Sequence, residues 1–231
     1  MLDTEKISKT LKKGEPILVF DEAGREGETD IFFSAKHVSN SNIRFLRKNG
    51  GGMIFIAADN LAFTKLGLPF SHDVFELVSN ISDEFNVVRG MLEHTIPYDK
   101  KSSFSLFINH KDTFTGISDY DRALTSKSFA DIFEESLSLS DSEAQKKVSD
   151  NFRIPGHVPV CIADQELVKA RKGHTELVVS LFKLLNMNPV AVGCEMVGND
   201  GNSLSPEKAK AWALEEGYLF LEGQNIVEAY L

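Results

Sequence analysis

No apolar run in this sequence is longer than a β-strand, and such runs recur along the chain with polar or amphipathic stretches between them. The stretches 16–20, 31–35, 53–58, 104–108, 158–163, 190–196 and 218–221 have the length and composition of strands. Between them the apolar residues take helical spacing. Ile7 and Leu11 stand four apart before Gly14, and 39–49 closes on Gly50-Gly51-Gly52, which predicts a helix in each place. Further helices are expected over 60–66, from Arg122 onward and over 175–187. Ser205-Pro206 supplies an N-cap with proline at the first helical position, and Gly217 is the matching stop. Residues 69–102 lack a clear period and read as mixed short strands and a mobile loop. Residues 136–150 read as loop, with helical character only over 143–147. This alternation predicts one α+β domain over 1–231, an α/β-type layered sandwich with a mixed central sheet and helices packed on its faces.

Composition narrows the classes of function. With 231 residues and 42% of them hydrophobic, the chain can bury a core. Its apolar stretches fall far short of the roughly 20 residues of a membrane span, so no membrane partner is expected. The first residues lack the basic start and apolar run of a secretory signal, which places the chain in the cytoplasm as an expectation. Cys161 and Cys194 are too few for a disulfide framework or a cysteine-rich zinc site. The balance of 34 acidic against 25 basic residues, a net −9, argues against nucleic acid, whose phosphates need clustered cations. Any phosphate has to be held locally.

Three polar clusters lie where turns join regular elements. Asp21 to Asp30 holds five carboxylates and one arginine. It is either a solvated acidic turn or an oxygen-rich loop suited to Mg²⁺ or Mn²⁺. Arg171-Lys-Gly-His174-Thr175-Glu176 precedes an apolar helix. There, cationic donors and a helix N-terminus make a phosphate site, unless Thr175 is only an N-cap and Arg171 and Lys172 only surface charges. The third pair is His157, after Pro155-Gly156, and Glu195, after an apolar strand. An imidazole and a carboxylate at strand ends can exchange protons with a ligand if they meet across a cleft; a lone histidine usually does not. Gly50-Gly51-Gly52 lacks the Lys-Ser/Thr of a P-loop and reads as a turn.

The order of these pieces resembles the 3,4-dihydroxy-2-butanone 4-phosphate synthase family, most closely its stand-alone archaeal type. The resemblance rests on Asp21 with Arg25-Glu-Gly-Glu-Thr-Asp30, Ile96-Pro-Tyr-Asp99 with Lys101-Ser-Ser-Phe-Ser105, Thr113-Phe-Thr-Gly-Ile-Ser-Asp119 with Asp121-Arg-Ala123, Pro155-Gly-His-Val158, Gly173-His-Thr-Glu176, and Cys194-Glu-Met196 with Asp200-Gly-Asn202. It implies a lyase that converts ribulose 5-phosphate to 3,4-dihydroxy-2-butanone 4-phosphate and formate for riboflavin, through an enediol, a dehydration and a skeletal shift that expels C4. It implies Mg²⁺ or Mn²⁺, two ions per site, with Glu26 and His174 as ligands. Arg25 and Asp30 would line the sugar, with Asp21 and Glu28 close by, and Arg171, Gly173, Thr175 and Thr115 would hold the phosphate. His157 and Glu195 would be the catalytic pair, and the assembly a homodimer with sites near its interface. A metal bridging sugar oxygens suits deprotonation beside a carbonyl, and a phosphate handle suits tight positioning.

Three positions depart from the family pattern. Phe55 stands where a cysteine is expected, Ile162 where an arginine is usual, and Glu166 in place of a glycine. Phe55 motivates an alternative, a catalytically silent phosphosugar- or metal-binding homologue. Another Mg²⁺-dependent sugar-phosphate enzyme is a third reading.

Overall fold

The computed structural model describes residues 2–99 and 101–231. Seven strands, β1 (Ile17–Phe20), β2 (Thr29–Ser34), β3 (Phe55–Ala58), β4 (Phe104–His110), β5 (Phe152–Ile162), β6 (Val190–Glu195) and β7 (Leu219–Glu222), form one sheet in the order β4-β5-β3-β6-β2-β1-β7. The sheet is mixed, as expected. β1 is parallel to β7 and β3 to β5, while the other neighbours are antiparallel. The helices are α1 (Thr4–Lys12), α2 (Asn40–Asn49), α3 (Leu61–Thr64), α4 (Ser71–Ser79), α5 (Asn86–Leu92), α6 (Asp119–Ser136), α7 (Asp141–Asn151), α8 (His174–Leu184), α9 (Pro206–Glu216) and α10 (Gly223–Tyr230). None among the described residues is long and apolar enough to cross a membrane.

The central strands β2, β3 and β6 are buried at every position but Glu195 because both sheet faces are covered. On one face Leu18, Ile31, Phe33 and Val192 meet Ile43 and Leu46 of α2, Phe129 and Phe133 of α6, and Ala209 and Ala213 of α9. On the other face Ile17, Val19, Phe32 and Ala191 meet Ile7 and Leu11 of α1, Leu177, Val178, Leu181 and Phe182 of α8, and Ile226 of α10. That second layer stops short of the β4–β5 end of the sheet. There Phe107, paired with Pro159, remains 42% exposed, and His157 is exposed beside it.

Three local expectations are corrected. Residues 69–102 contain the helices α4 and α5, not strands; Phe75, Leu77, Val87 and Met91 stay exposed, so no core-facing stripe marks them in the sequence. Most of 136–150 belongs to α7, started by a capping box between Ser140 and Glu143 and buried only through Ala144. β5 begins at Phe152, six residues before the expected start, because Pro155-Gly156-His157 sits in a bulge where the partner of Ile108 is Val158 and that of Asn109 is already Arg153.

Candidate active site

The acidic cluster is a built loop between β1 and β2. Asp21 is buried, and its two carboxylate oxygens accept the backbone N–H groups of Glu26 and Glu28, each at 3.0 Å. Gly27, at φ +68°, lets the chain turn between these two bonds. Asp30 closes the loop at 1% exposure, so the solvated-turn reading fails for both ends of the run. Arg25 lies over the loop, 2.8 Å from Glu26 and 3.5 Å from Asp21.

The start of α8 faces this loop. Gly173 is the N-cap, so Thr175 is not. A Cβ on Gly173 would lie 2.2 Å from Arg171 Nη1 and 2.9 Å from Arg25 Nη2, which is why bare backbone is needed between two guanidinium groups. Arg171 is no free surface charge. Its Nη1 donates to the buried Glu176 at 2.5 Å, while Nε and Nη2 reach Asp99 at 2.9 and 2.8 Å. Asp99 also takes a hydrogen bond from Arg25 at 2.5 Å, and the Tyr98 ring lies 5.1 Å below that guanidinium. Lys172, by contrast, is exposed.

His174 joins the two halves. Its Nδ1 is 3.2 Å from Glu26 Oε2, and its Nε2 is 3.2 Å from the Glu28 carbonyl and 3.7 Å from Asp30 Oδ1. Burial alone would lower the imidazole, but the carboxylates of Asp30, Glu26 and Asp21 outweigh it and raise its pKa to about 9. Burial would raise Glu26, and there His174 and Arg25 win, holding it at about 2. Asp30 goes the other way. Burial pushes it to about 8 against the pull of His174, with Glu195, Glu26 and Glu28 adding repulsion.

Glu195 enters from β6, directly opposite Asp30 on β2. Its Oε2 accepts the Met53 N–H at 2.7 Å, and its carbonyl accepts the Gly52 N–H at 3.1 Å. A Cβ on Gly52 would lie 2.3 Å from that Oε2. The glycine triplet is therefore a turn, as read from sequence, and also the seat of Glu195. Burial raises the pKa of this carboxyl.

These groups border one cavity of about 310 Å³, lined by Arg25, Glu26, Asp30, Arg171, His174, Thr175 and Glu195, with Glu28 among them. Of the three departures from the family pattern, only Phe55 lines it, packed edge-on against Phe32 at 5.9 Å. Ile162 is buried in the α2–α6 layer, and Glu166 is exposed. Cys161 also borders the cavity, but burial pushes its thiol up to about 12, which leaves no thiolate at neutral pH. Tyr98 and Asp99 belong to one of the motifs that carry the resemblance, which gives them no role. They lie in the stretch without a period, and no local pattern ties them to two arginines distant in sequence.

Asp21, Glu26 and His174 each offer a ligand atom within 4.8 Å of the others. Asp30 Oδ1, buried beside them, has no hydrogen-bond partner among the described residues. Hard carboxylate oxygens with one imidazole fit a Mg²⁺- or Mn²⁺-class ion, and an orphaned carboxylate oxygen is what a missing cation or its water would satisfy.

His157 and Thr115 lie elsewhere. Cys161, on the cavity wall, is four residues further along β5 than His157, a separation of roughly 13 Å along a strand. Thr115 sits in the loop before α6, its hydroxyl 3.4 Å from Asp121. Within one chain the expected pair of His157 and Glu195 does not meet. Around His157 and Thr115 stand exposed apolar side chains: Phe107, Phe114 at 94% exposure, Ile117, Tyr120 and Ile154.

Comparison with known proteins adds a family. The model of 3,4-dihydroxy-2-butanone 4-phosphate synthase matches residues 5–229. The protein of that name from Methanosarcina mazei is 42% identical over 224 residues, 96% of this chain and 89% of the relative. The one from Archaeoglobus fulgidus is 41% identical over 233 residues, 100% of this chain and 94% of the relative. A crystal structure of a 3,4-dihydroxy-2-butanone 4-phosphate synthase in complex with two magnesium ions shares the fold at a TM-score of 0.71 and 24% identity, covering 98% of this chain and 95% of that one.

Proposed function

Because the chain belongs to the 3,4-dihydroxy-2-butanone 4-phosphate synthase family, we propose that it is the lyase converting D-ribulose 5-phosphate to 3,4-dihydroxy-2-butanone 4-phosphate and formate in riboflavin biosynthesis. The observation that carries this reading is one cavity with a carboxylate–imidazole donor set on one wall and an arginine-lined helix N-terminus on the next.

Glu26 and His174 would hold Mg²⁺ or Mn²⁺, two ions per site, with Asp21 beside them. When bound, the metal supplies a counter-charge for the oxyanion that develops as a carbon next to the sugar carbonyl loses its proton. The remaining work belongs to side chains and backbone. Arg171 with the Gly173 and Thr175 backbone grips the phosphate, where free N–H groups and the α8 dipole favour an anion. Asp99 now occupies two donors of Arg171, so the phosphate displaces it or shares the guanidinium. Arg25 and Asp30 line the sugar. Glu195, held by the Met53 N–H at the cavity wall, moves protons at the reacting carbons.

His157 and Thr115 complete the site from a second copy of the chain. What supports a homodimer is the uncovered β4–β5 face, where a conformationally fixed histidine is ringed by exposed Phe107, Phe114, Ile117 and Ile154. A two-fold arrangement lets each copy lend that corner to the other's cavity.

The decisive test is formate release from ribulose 5-phosphate by purified protein with Mg²⁺, and its loss on adding chelator. No formate under conditions in which an archaeal relative turns over would overturn the reading. Phe55 on the cavity wall favours one rival, a silent phosphosugar-binding homologue. That rival requires ribulose 5-phosphate to bind without turnover, and Phe55→Cys to leave turnover absent. Another Mg²⁺-dependent sugar-phosphate enzyme would act on a different phosphorylated sugar with no need of His157.

A further inference from the structure

Asn109 is buried at 2% exposure near the end of β4, and its amide is committed to the two residues of the exposed corner. Its Oδ1 accepts the His157 backbone N–H at 2.9 Å. Only the oxygen end of an amide can take that hydrogen, so the orientation of the group is fixed by the main chain. The Nδ2 end then faces His157 Nδ1 at 3.1 Å and the Thr115 carbonyl at 3.3 Å. Both amide hydrogens are used. A donor aimed at Nδ1 requires an unprotonated Nδ1, which puts the proton of the neutral ring on Nε2, the nitrogen left free on the exposed side.

Two glycines make room for this arrangement. A Cβ on Gly116, whose φ is +94°, would lie 2.0 Å from Asn109 Nδ2, and one on Gly156 would lie 2.0 Å from the Ile108 carbonyl carbon. The turn before α6 is thus shaped around the Asn109 amide, and the bulge in β5 packs closely on the main chain at Ile108 and Asn109.

We propose that Asn109 is a positioning residue that holds His157 in the Nε2–H tautomer, so that the ring offers the substrate a hydrogen-bond donor and leaves proton removal to Glu195. This rests on the reading of His157 as substrate-facing. A neutral imidazole in this state polarises a carbonyl or enediol oxygen without giving up its proton. With Nδ1 occupied, Nε2 has no lone pair with which to act as a base. Asn109 differs from His157 in that it reaches no ligand itself.

The test is nitrogen NMR of the full chain labelled with ¹⁵N-histidine, at a pH where the ring is neutral, with His157 assigned by the signals missing from His157→Ala. The expected spectrum has an unprotonated Nδ1 and a protonated Nε2. Asn109→Asp keeps an oxygen for the His157 N–H but presents an acceptor to the ring, so the proton moves to Nδ1. In that variant kcat falls by about 100-fold or more while KM changes far less, as expected when a tautomer is mis-set. A wild-type ring protonated on Nδ1, or an Asn109→Asp spectrum identical to wild type, overturns the proposal and leaves the His157–Glu195 pair standing. If Asn109→Asp fails to fold, the wild-type spectrum decides alone. Undiminished turnover by His157→Ala would instead overturn the reading beneath it, whatever the tautomer.

Discussion

The cavity at the α8 N-terminus and the corner around His157 are built on the same sheet, but they end in opposite states. In the cavity, each cation is paired within the chain: Arg25 is shared by Glu26, Asp21 and Asp99, Arg171 by Asp99 and Glu176, and His174 by Glu26 and Asp30. At the corner, the inner atoms of His157 are committed to Asn109 while the ring and its apolar surroundings face outward. A site closed on itself binds. A fixed, exposed histidine stands beside an uncovered apolar face, and that difference is what the proposed contribution of a second copy rests on.

The largest expected effect separates the two regions directly. Glu26→Ala and His157→Ala should each lower turnover by about 10²- to 10⁴-fold. Only Glu26→Ala should weaken metal binding. Mixing the two dead variants and allowing subunits to exchange should restore about a quarter of wild-type turnover, because half the dimers are mixed and each contains one intact site. Formate assays on the mixture showing no recovery would mean that His157 serves its own chain.

Removing a cation from the closed region should cost stability as well as substrate affinity. In Arg171→Ala, Glu176 keeps the Asp164 N–H at 2.9 Å but loses its ion-pair partner while 0% exposed. Urea unfolding should show a loss of about 3 kcal/mol, the scale for breaking a buried pair, and KM for the phosphorylated sugar should rise. An unchanged midpoint would show that the pair is not structural.

The third effect is on pH. His174, raised to about 9 in the metal-free chain, is protonated at pH 7 and must lose that proton to ligate. Mg²⁺ binding should therefore release at least one proton per chain at pH 7, with Asp30, raised to about 8, able to add to it, and apparent affinity should climb with pH before levelling near pH 9. Calorimetry in buffers of different ionisation enthalpy reads this directly, and binding without proton release would remove His174 from the ligand set. The raised pKa also stabilises the metal-free fold below pH about 6.5, a contribution lost as pH rises through about 9.

The smallest effect on the fold belongs to the exposed corner. Ile117→Asp, at a side chain 52% exposed, should change the stability of the chain itself by about 0.5 kcal/mol or less. It should nevertheless halve the mass seen in sedimentation and make turnover fall on dilution. A variant that sediments like wild type would mean that this face is not a contact between copies of the chain.

The strands were legible where they are buried on both faces, since a run such as Ile17–Phe20 carries its own signal. Helices with a core stripe or a cap were legible too, as α1 and α9 show. α4 and α5 were not, because their apolar residues face outward and leave no period to read. Asn109 gave no signal either. Its importance comes from a bulge that brings residue 157 back against it, 48 positions along the chain.

The sequence by itself determined the segments, the acidic loop and the donor-rich helix start, because turns, caps and side-chain chemistry are local properties of a few adjacent residues. It also determined the family, through the order of those pieces. Only the tertiary structure decided that Gly52 seats Glu195, that Asp99 bridges two arginines, and that His157 stands apart from the cavity. Those facts depend on strand order and on where a helical layer runs out, and both are fixed by packing between residues far apart in the chain.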